Sequence, residues 1–241
     1  MNKHGVLARL AEDKPRFHRT GSTGVQTGAL AGVALEPGDT SWAVGAGVLR
    51  WIADHVTVDM VTLETGAGYT TVLLAAAARH HYCCTPNQLE ADKIRAYLRS
   101  IGCPDANVTF LIGSTDATLP VLSPEVRIDF AYVDGCHGYP FPALDWHYID
   151  KHLNVGGLIG MDNAELRPVR EQCYFLEENG AYQLVDALAD GYFVRFYRKQ
   201  SDQDREWIDQ PYSRAKKDPC DWRFTTRLRR RASRLIRPYL F

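Results

Sequence analysis

The spacing of apolar and polar positions changes character near residue 40 and again near residue 200. Residues 1–39 are rich in Gly, Thr and Ala with weak periodicity, and read as an irregular leader lying against one edge of a core. In "DTSWAVGAGVLRWIADHV", Val44, Val48, Leu49, Ile52 and Ala53 recur at helical spacing behind the candidate caps Asp39, Thr40 and Ser41. Short apolar runs and helical patterns then alternate. The strand candidates are "VDMVTLE", "HHYCCT", "NVTFLIG", "RIDFAYVDG" and "VGGLIGMDN". Between them lie "TTVLLAAAAR", "NQLEADKIRAYLRSIG", a short turn of helix near "TDATLPVL", and "FPALDWHYIDKHL". Strands separated by helices predict a parallel sheet covered on both faces. After the helix "RPVREQCYFLEENG", two more strands, "YQLVDAL" and "GYFVRFYRK", are joined by Ala189-Asp190-Gly191, a hairpin signal. The expectation is therefore an α/β fold: a doubly wound, mostly parallel seven-stranded sheet closed by an antiparallel C-terminal hairpin. Its parts are a leader (1–39), a catalytic-type domain (40–199) and a basic extension (200–241).

Composition narrows the class. A chain of 241 residues, 45% hydrophobic and 24% charged, has enough apolar content for one large core. A formal net charge of -1 does not point to nucleic acid. None of the six cysteines forms a C-x-x-C pair, so neither a zinc ribbon nor a redox motif is suggested. Buried free thiols in a reducing cytoplasm are the simplest reading. "MNKHGVLARLAEDKPRF" lacks the apolar core of a signal peptide, and no run is long enough to span a bilayer. The tail breaks the charge balance. "DWRFTTRLRRRASRLIRPYLF" has no acid after Asp221, and Leu228, Leu235, Ile236 and Leu240 would form an apolar side if it were helical. It reads as an arm for an anionic surface, such as the inner membrane face, or for a protein partner. The alternative is a helix packed on the protein's own acidic surface, or a partly disordered end.

The chemistry concentrates at strand ends. "MVTLETGAGYTT" is a strand, a glycine turn and a helix start, the way a nucleotide-type ligand is held. A P-loop would need a lysine that is absent. A nicotinamide fingerprint would need a third glycine where Thr71 stands. An acidic-x-Gly-x-Gly turn remains, with glycines that let backbone meet a ligand and Glu64 able to pair with an amino group. Further on, Asp134 ends the fourth strand, and Asp162-Asn163 ends the fifth. A parallel sheet brings such ends to one edge. Two carboxylates and an amide oxygen would converge there, an all-oxygen set suited to magnesium.

Three segments in order carry a resemblance. "VTLETGAGYTT", "RIDFAYVDGCHGYP" and "HLNVGGLIGMDN" resemble the first-strand, fourth-strand and fifth-strand motifs of class I S-adenosylmethionine-dependent methyltransferases. The likeness runs from about Thr40 to Lys199 and includes the closing hairpin. It implies a Rossmann-like fold with S-adenosylmethionine over Glu64, Thr65, Gly66, Ala67, Gly68 and Thr70. It also places Ser114 and Thr115 near the adenine, and Asp134 beside the cofactor. The family's ribose-binding acid is missing: Thr85 stands in its place, with Asn87 close by, and both offer only neutral hydrogen bonds. The set Asp134, Asp162 and Asn163 is similar to the metal site of catechol and caffeoyl-coenzyme A type O-methyltransferases. Those enzymes carry a lysine where His137 stands. A histidine there would serve as general base, or would only hydrogen-bond within its loop.

The implied activity is methyl transfer from S-adenosylmethionine to the oxygen of a small-molecule or sugar acceptor, assisted by a divalent metal such as Mg²⁺, in a cytoplasmic protein that could self-associate. Rival readings are a non-catalytic protein that binds partners through its basic tail, a nicotinamide oxidoreductase, and a two-metal hydrolase with too few ligands in view.

Overall fold

The structure is a computed structural model and describes residues 1–18, 44–202 and 210–214. The proposed caps Asp39, Thr40 and Ser41 and the arginine-rich tail lie outside the described residues. Residues 1–202 form one compact unit. The short helix α8 (Pro211–Arg214) belongs to a second unit.

The seven strands are β1 (Val61–Thr65), β2 (His80–Thr85), β3 (Val108–Ile112), β4 (Ile128–Val133), β5 (Leu153–Met161), β6 (Tyr182–Asp190) and β7 (Tyr192–Lys199). They make one sheet in the order β3-β2-β1-β4-β5-β7-β6. The first five are parallel, and β7 runs antiparallel between β5 and β6. The predicted fold class is the one observed. The hairpin is tighter than expected, however. β6 extends through Asp190, leaving Gly191 alone at the turn with φ +85°.

Helices cover both faces because each presents one apolar stripe. On one face lie α1 (Lys3–Asp13), α2 (Ala46–His55), α3 (Tyr69–Ala77) and α4 (Gln88–Ser100). On the other lie α5 (Thr115–Thr118), α6 (Phe141–Asp150) and α7 (Arg167–Glu178), whose Trp146, Ile149, Val169, Cys173 and Leu176 pack on Leu63, Ala131, Val133 and Ile159. The expected stripe of α2, from Val44 to Ala53, is buried as read. Its N-terminus lacks a local side-chain cap. Asp190 of the hairpin supplies one across the chain, accepting from the Gly47 amide.

The leader is not irregular throughout. Residues 3–13 form α1, started by the Asn2 side chain, which accepts from the Gly5 amide at 2.9 Å. Val6 and Leu10, one helical turn apart, are buried against α3 and α4. Burying two such side chains contributes roughly 1.5–3 kcal/mol each, enough to hold a short helix that is otherwise polar. Phe17 is also buried, edge-on to Tyr69 and Tyr97.

No helix among the described residues is long and apolar enough to cross a membrane. Cys83, Cys84, Cys103 and Cys173 are buried free thiols, and Cys136 is exposed.

Candidate functional site

Backbone hydrogen bonds stitch the carboxyl ends of neighbouring strands into one edge. The amides of Gly66, Gly113, Asp134 and Asp162 donate to the carbonyls of Cys84, Thr85, Thr65 and Val133 respectively, at 2.9–3.1 Å. Every side chain at a strand end therefore shares this edge.

The glycine turn after β1 is shaped by two different needs. Gly66 has φ +86°, and a Cβ there would lie 2.2 Å from the Asp134 carbonyl oxygen. What requires glycine at 66 is the close pass of the β4 end. Gly68 has room: among the described residues, a Cβ there would meet only the His18 Nε2, at 3.8 Å. Thr71, which breaks the nicotinamide pattern, closes the turn itself, its Oγ1 accepting from the Gly68 amide at 2.8 Å. Thr65 and Thr70 are buried under the turn, and Ala67 packs against the α1–α4 core.

Glu64 is fully buried and faces β2. Its Oε1 lies 3.1 Å from His81 Nε2, and Thr62 Oγ1 lies 2.9 Å from His81 Nδ1. Glu64 Oε2 is buried without a hydrogen-bond partner. One oxygen of this carboxylate is thus taken inside the sheet, and the other is left for the expected pairing with a cofactor amino group. His81, which sequence reasoning set aside, is the partner of the first. Same-face parity was the available signal, since Thr62 pairs with His81 and Glu64 with Cys83 in the β1–β2 register.

Thr85 and Asn87 do not face a ligand alone either. Thr85 Oγ1 donates to Glu90 Oε2 at 3.2 Å, and Asn87 Nδ2 donates to Glu90 Oε1 at 3.1 Å. The carboxylate missing from the end of β2 is thus present five residues later, in the first turn of α4. Burial pushes the Glu90 carboxyl up, but the hydrogen bonds and charge of His18, with Thr85 and Asn87, outweigh it and hold the group below its ordinary value. Sequence reasoning missed Glu90 because it looked for an acid on the strand.

On the other side of the turn, acid faces acid. Asp134, His137 and Asp162 bring one ligand atom each within 4.8 Å of one another. Burial, then the charge and hydrogen bond of Asp162, push Asp134 well above the usual carboxylate range, and burial raises Asp162 as well. Tyr132 Oη donates to Asp162 Oδ1 at 2.9 Å. His137 Nε2 is 3.6 Å from Asp134 Oδ1 and is buried without a hydrogen bond. Burial lowers its pKa against the pull of Asp162 and Glu165, which keeps the ring neutral near pH 7. Asn163 sits at φ +54° and turns its amide NH₂ to Glu165 Oε1 at 3.1 Å. Beneath Gly135, Asp145 is 1% exposed, and neither carboxylate oxygen meets hydrogen-bond geometry. Thr115 and Thr65 lie near enough to pull its pKa down. Burial wins and lifts it to about 6. Ser114 is exposed at the start of α5.

Residues 63–164, which span the turn, Glu90 and the Asp134–Asp162 pair, match the family described as "Methyltransferase domain". That stretch resembles a methyltransferase domain, and the sheet order is that of the class I methyltransferase fold. No curated protein matches the sequence. Solved structures share this fold at low identity. A provisional O-methyltransferase of Klebsiella pneumoniae is 17% identical, with a TM-score of 0.60 over 67% of this chain and 84% of that one. The O-methyltransferase TomG of Streptomyces achromogenes, solved with S-adenosylmethionine, is 18% identical, with a TM-score of 0.57 over 66% and 82%. An O-methyltransferase of Bacillus cereus, solved with S-adenosylhomocysteine, is 17% identical, with a TM-score of 0.50 over 58% and 74%.

This edge fits the two groups that its fold implies. The open side of Gly68 and the ionised Glu90 beside it suit a ligand with a slender backbone and vicinal hydroxyls. The Asp134–Asp162 pair, with Tyr132 already orienting Asp162, suits a hard cation, which would relieve the repulsion of two carboxylates.

Proposed function

We propose that the protein transfers a methyl group from S-adenosylmethionine to a hydroxyl oxygen of a small-molecule or sugar acceptor, with a divalent cation held at the β4–β5 edge. The observation that carries this reading is the buried Asp134–Asp162 pair, with the His137 Nε2 beside it making no hydrogen bond and a glycine turn next to it. O-methyltransferases among the proteins of like fold, two of them solved with S-adenosylmethionine or its product, support it.

When bound, S-adenosylmethionine supplies an electrophilic methyl group, and a divalent cation lowers the pKa of the acceptor hydroxyl. The chain's own residues do the rest. Asp134, Asp162 and the Asn163 amide oxygen would hold the cation. Tyr132 fixes Asp162 through its hydroxyl. Glu90 would receive the cofactor's ribose hydroxyls in place of the acid that Thr85 lacks. His137 Nε2 accepts the acceptor's proton; its lowered pKa keeps it unprotonated and ready near neutral pH. The edge as a whole holds the reacting atoms in line, which is most of what methyl transfer asks of an enzyme.

Calorimetry tests the reading. S-adenosylhomocysteine should bind the whole chain without added metal. Magnesium should give a separate heat that Asp134→Asn abolishes. No heat with S-adenosylhomocysteine under either condition rejects the methyltransferase activity. Cofactor binding with no metal heat leaves methyl transfer assisted by His137 alone.

A further inference from the structure

His18 lies where the N-terminal segment meets the cofactor edge. Its Nδ1 is 3.2 Å from Glu90 Oε1, and since an ionised carboxylate only accepts, the ring nitrogen donates. Its Nε2 is the atom nearest the open side of Gly68. The residue before it is firmly anchored. The buried Phe17 ring is edge-on to Tyr69, the first residue after the turn, and Lys93 Nζ donates to the Phe17 carbonyl at 3.2 Å. The His18 ring therefore projects from a fixed point into the space between the glycine turn and Glu90.

The hydrogen-bonding capacity of Glu90 is nearly full. A carboxylate offers about four acceptor sites. Asn87 and His18 both donate to Oε1, and Thr85 donates to Oε2. Among the described residues one site remains, whereas a pair of vicinal hydroxyls needs two. One of the three donors must leave before a diol can bind. Thr85 is 1% exposed, and its oxygen also accepts from the Asn87 amide. Asn87 caps α4, its side chain accepting from the Leu89 amide at 3.0 Å. Both belong to the β2–α4 turn and cannot withdraw without undoing it. His18 comes from outside that turn, and its side chain is 24% exposed.

We infer that His18 is a latch on the cofactor site: its imidazole holds Glu90 until a vicinal diol takes its place, whereupon the ring swings aside while Phe17 stays anchored. The inference rests on the proposed cofactor reading and adds that the N-terminal segment competes with the cofactor for one carboxylate. His18 acts through Glu90 and is a positioning residue.

The sign of one substitution tests it. A merely structural His18 would weaken cofactor binding when removed, because Glu90 would lose a support. A latch does the opposite. His18→Ala in the full chain should bind S-adenosylhomocysteine about three- to tenfold more tightly than the native protein by calorimetry. A second readout uses the native protein alone. The His18 ring resonance, assigned by its loss in His18→Ala, should shift when S-adenosylhomocysteine saturates the site, while resonances of Phe17 stay in place. Equal or weaker binding by His18→Ala, or a His18 signal unmoved at saturation, overturns the latch and leaves the cofactor reading standing. Absence of binding by both proteins overturns the two together.

Discussion

The two sides of the glycine turn treat their carboxylates in opposite ways. Toward β2 and α4, each acid has partners: Glu64 meets His81, and Glu90 takes donors from His18, Thr85 and Asn87. Toward β4, β5 and α6, the acids are uncompensated. Asp134 and Asp162 raise each other's cost, with the Tyr132 hydroxyl donating to Asp162, and neither Asp145 oxygen has a hydrogen bond. A buried charge without a partner costs several kcal/mol, so a protein keeps one mainly where something else will use it. The difference teaches that on the first side each acid already has at least one hydrogen-bond partner, though Glu64 Oε2 stays unpaired. The second side is held at a cost that a cation and an acceptor would offset.

The largest break should come from the uncompensated side. Asp162→Ala removes one of the two carboxylates proposed to hold the cation and the acceptor of the Tyr132 hydroxyl. Methyl transfer should fall about 10³-fold, or roughly 4 kcal/mol, with cofactor affinity changed less than threefold. Steady-state rates beside S-adenosylhomocysteine calorimetry check this. Loss of both together would mean that the two sides are not independent.

On the compensated side the same kind of change should act on stability. His81→Ala leaves Glu64 buried with neither oxygen paired, and breaking one member of a buried pair costs about 3 kcal/mol or more. Urea denaturation should show the loss. If the variant is as stable as the native chain, the His81–Glu64 contact contributes nothing and the contrast between the sides fails.

How far this contrast could be read in the sequence depends on how local each feature is. "HHYCCT" was readable as β2 to the residue because it is a compact apolar run bounded by Arg79 and Pro86. The convergence of Asp134 and Asp162 was readable because parallel topology alone puts strand ends on one edge. α1 was not, since its buried apolar stripe is only Val6 and Leu10, with Gly5 in its first turn. Neither was Glu90: its role follows from where the first turn of α4 lands, which no strand-end rule contains. The pairings His81–Glu64 and His18–Glu90 span 17 and 72 residues and exist only through tertiary packing.

Asp145 sharpens the comparison through pH. Its pKa rises from an ordinary 3.8 to about 6 in the fold. An acid whose folded pKa is raised takes up a proton on folding, so it adds no penalty below about pH 4. The penalty grows from pH 4 to 6 and is full above 6. Two pKa units correspond to roughly 3 kcal/mol at most. Asp145→Asn removes the charge but leaves an amide with few partners, so a net gain of about 1–2 kcal/mol is expected at pH 7.5. Thermal melts at pH 4 and 7.5 should show that gain only at the higher pH. A gain of equal size at both would trace it to packing and not to the charge.

The smallest effect comes from making the first side resemble the second. Asn87 does two things: its Oδ1 caps α4 at the Leu89 amide, and its Nδ2 donates to Glu90. Asn87→Asp keeps the cap, because aspartate serves as well there, and replaces the donor with a second acceptor of like charge. Asn87→Ala loses both, at a cost of about 1 kcal/mol that should vary little with pH. Asn87→Asp should lose only about 0.5–1 kcal/mol at pH 7. That loss should disappear as the pH falls and one of the two carboxyls is protonated. His18 should then become the stronger partner of the site, having two carboxylates in reach, and the latch should tighten. S-adenosylhomocysteine affinity should therefore drop more in Asn87→Asp than in Asn87→Ala, and adding His18→Ala should recover part of it. If the aspartate variant binds S-adenosylhomocysteine as well as the alanine variant, charge at this turn is not what sets the order of events, and the contrast between the two sides reduces to stability alone.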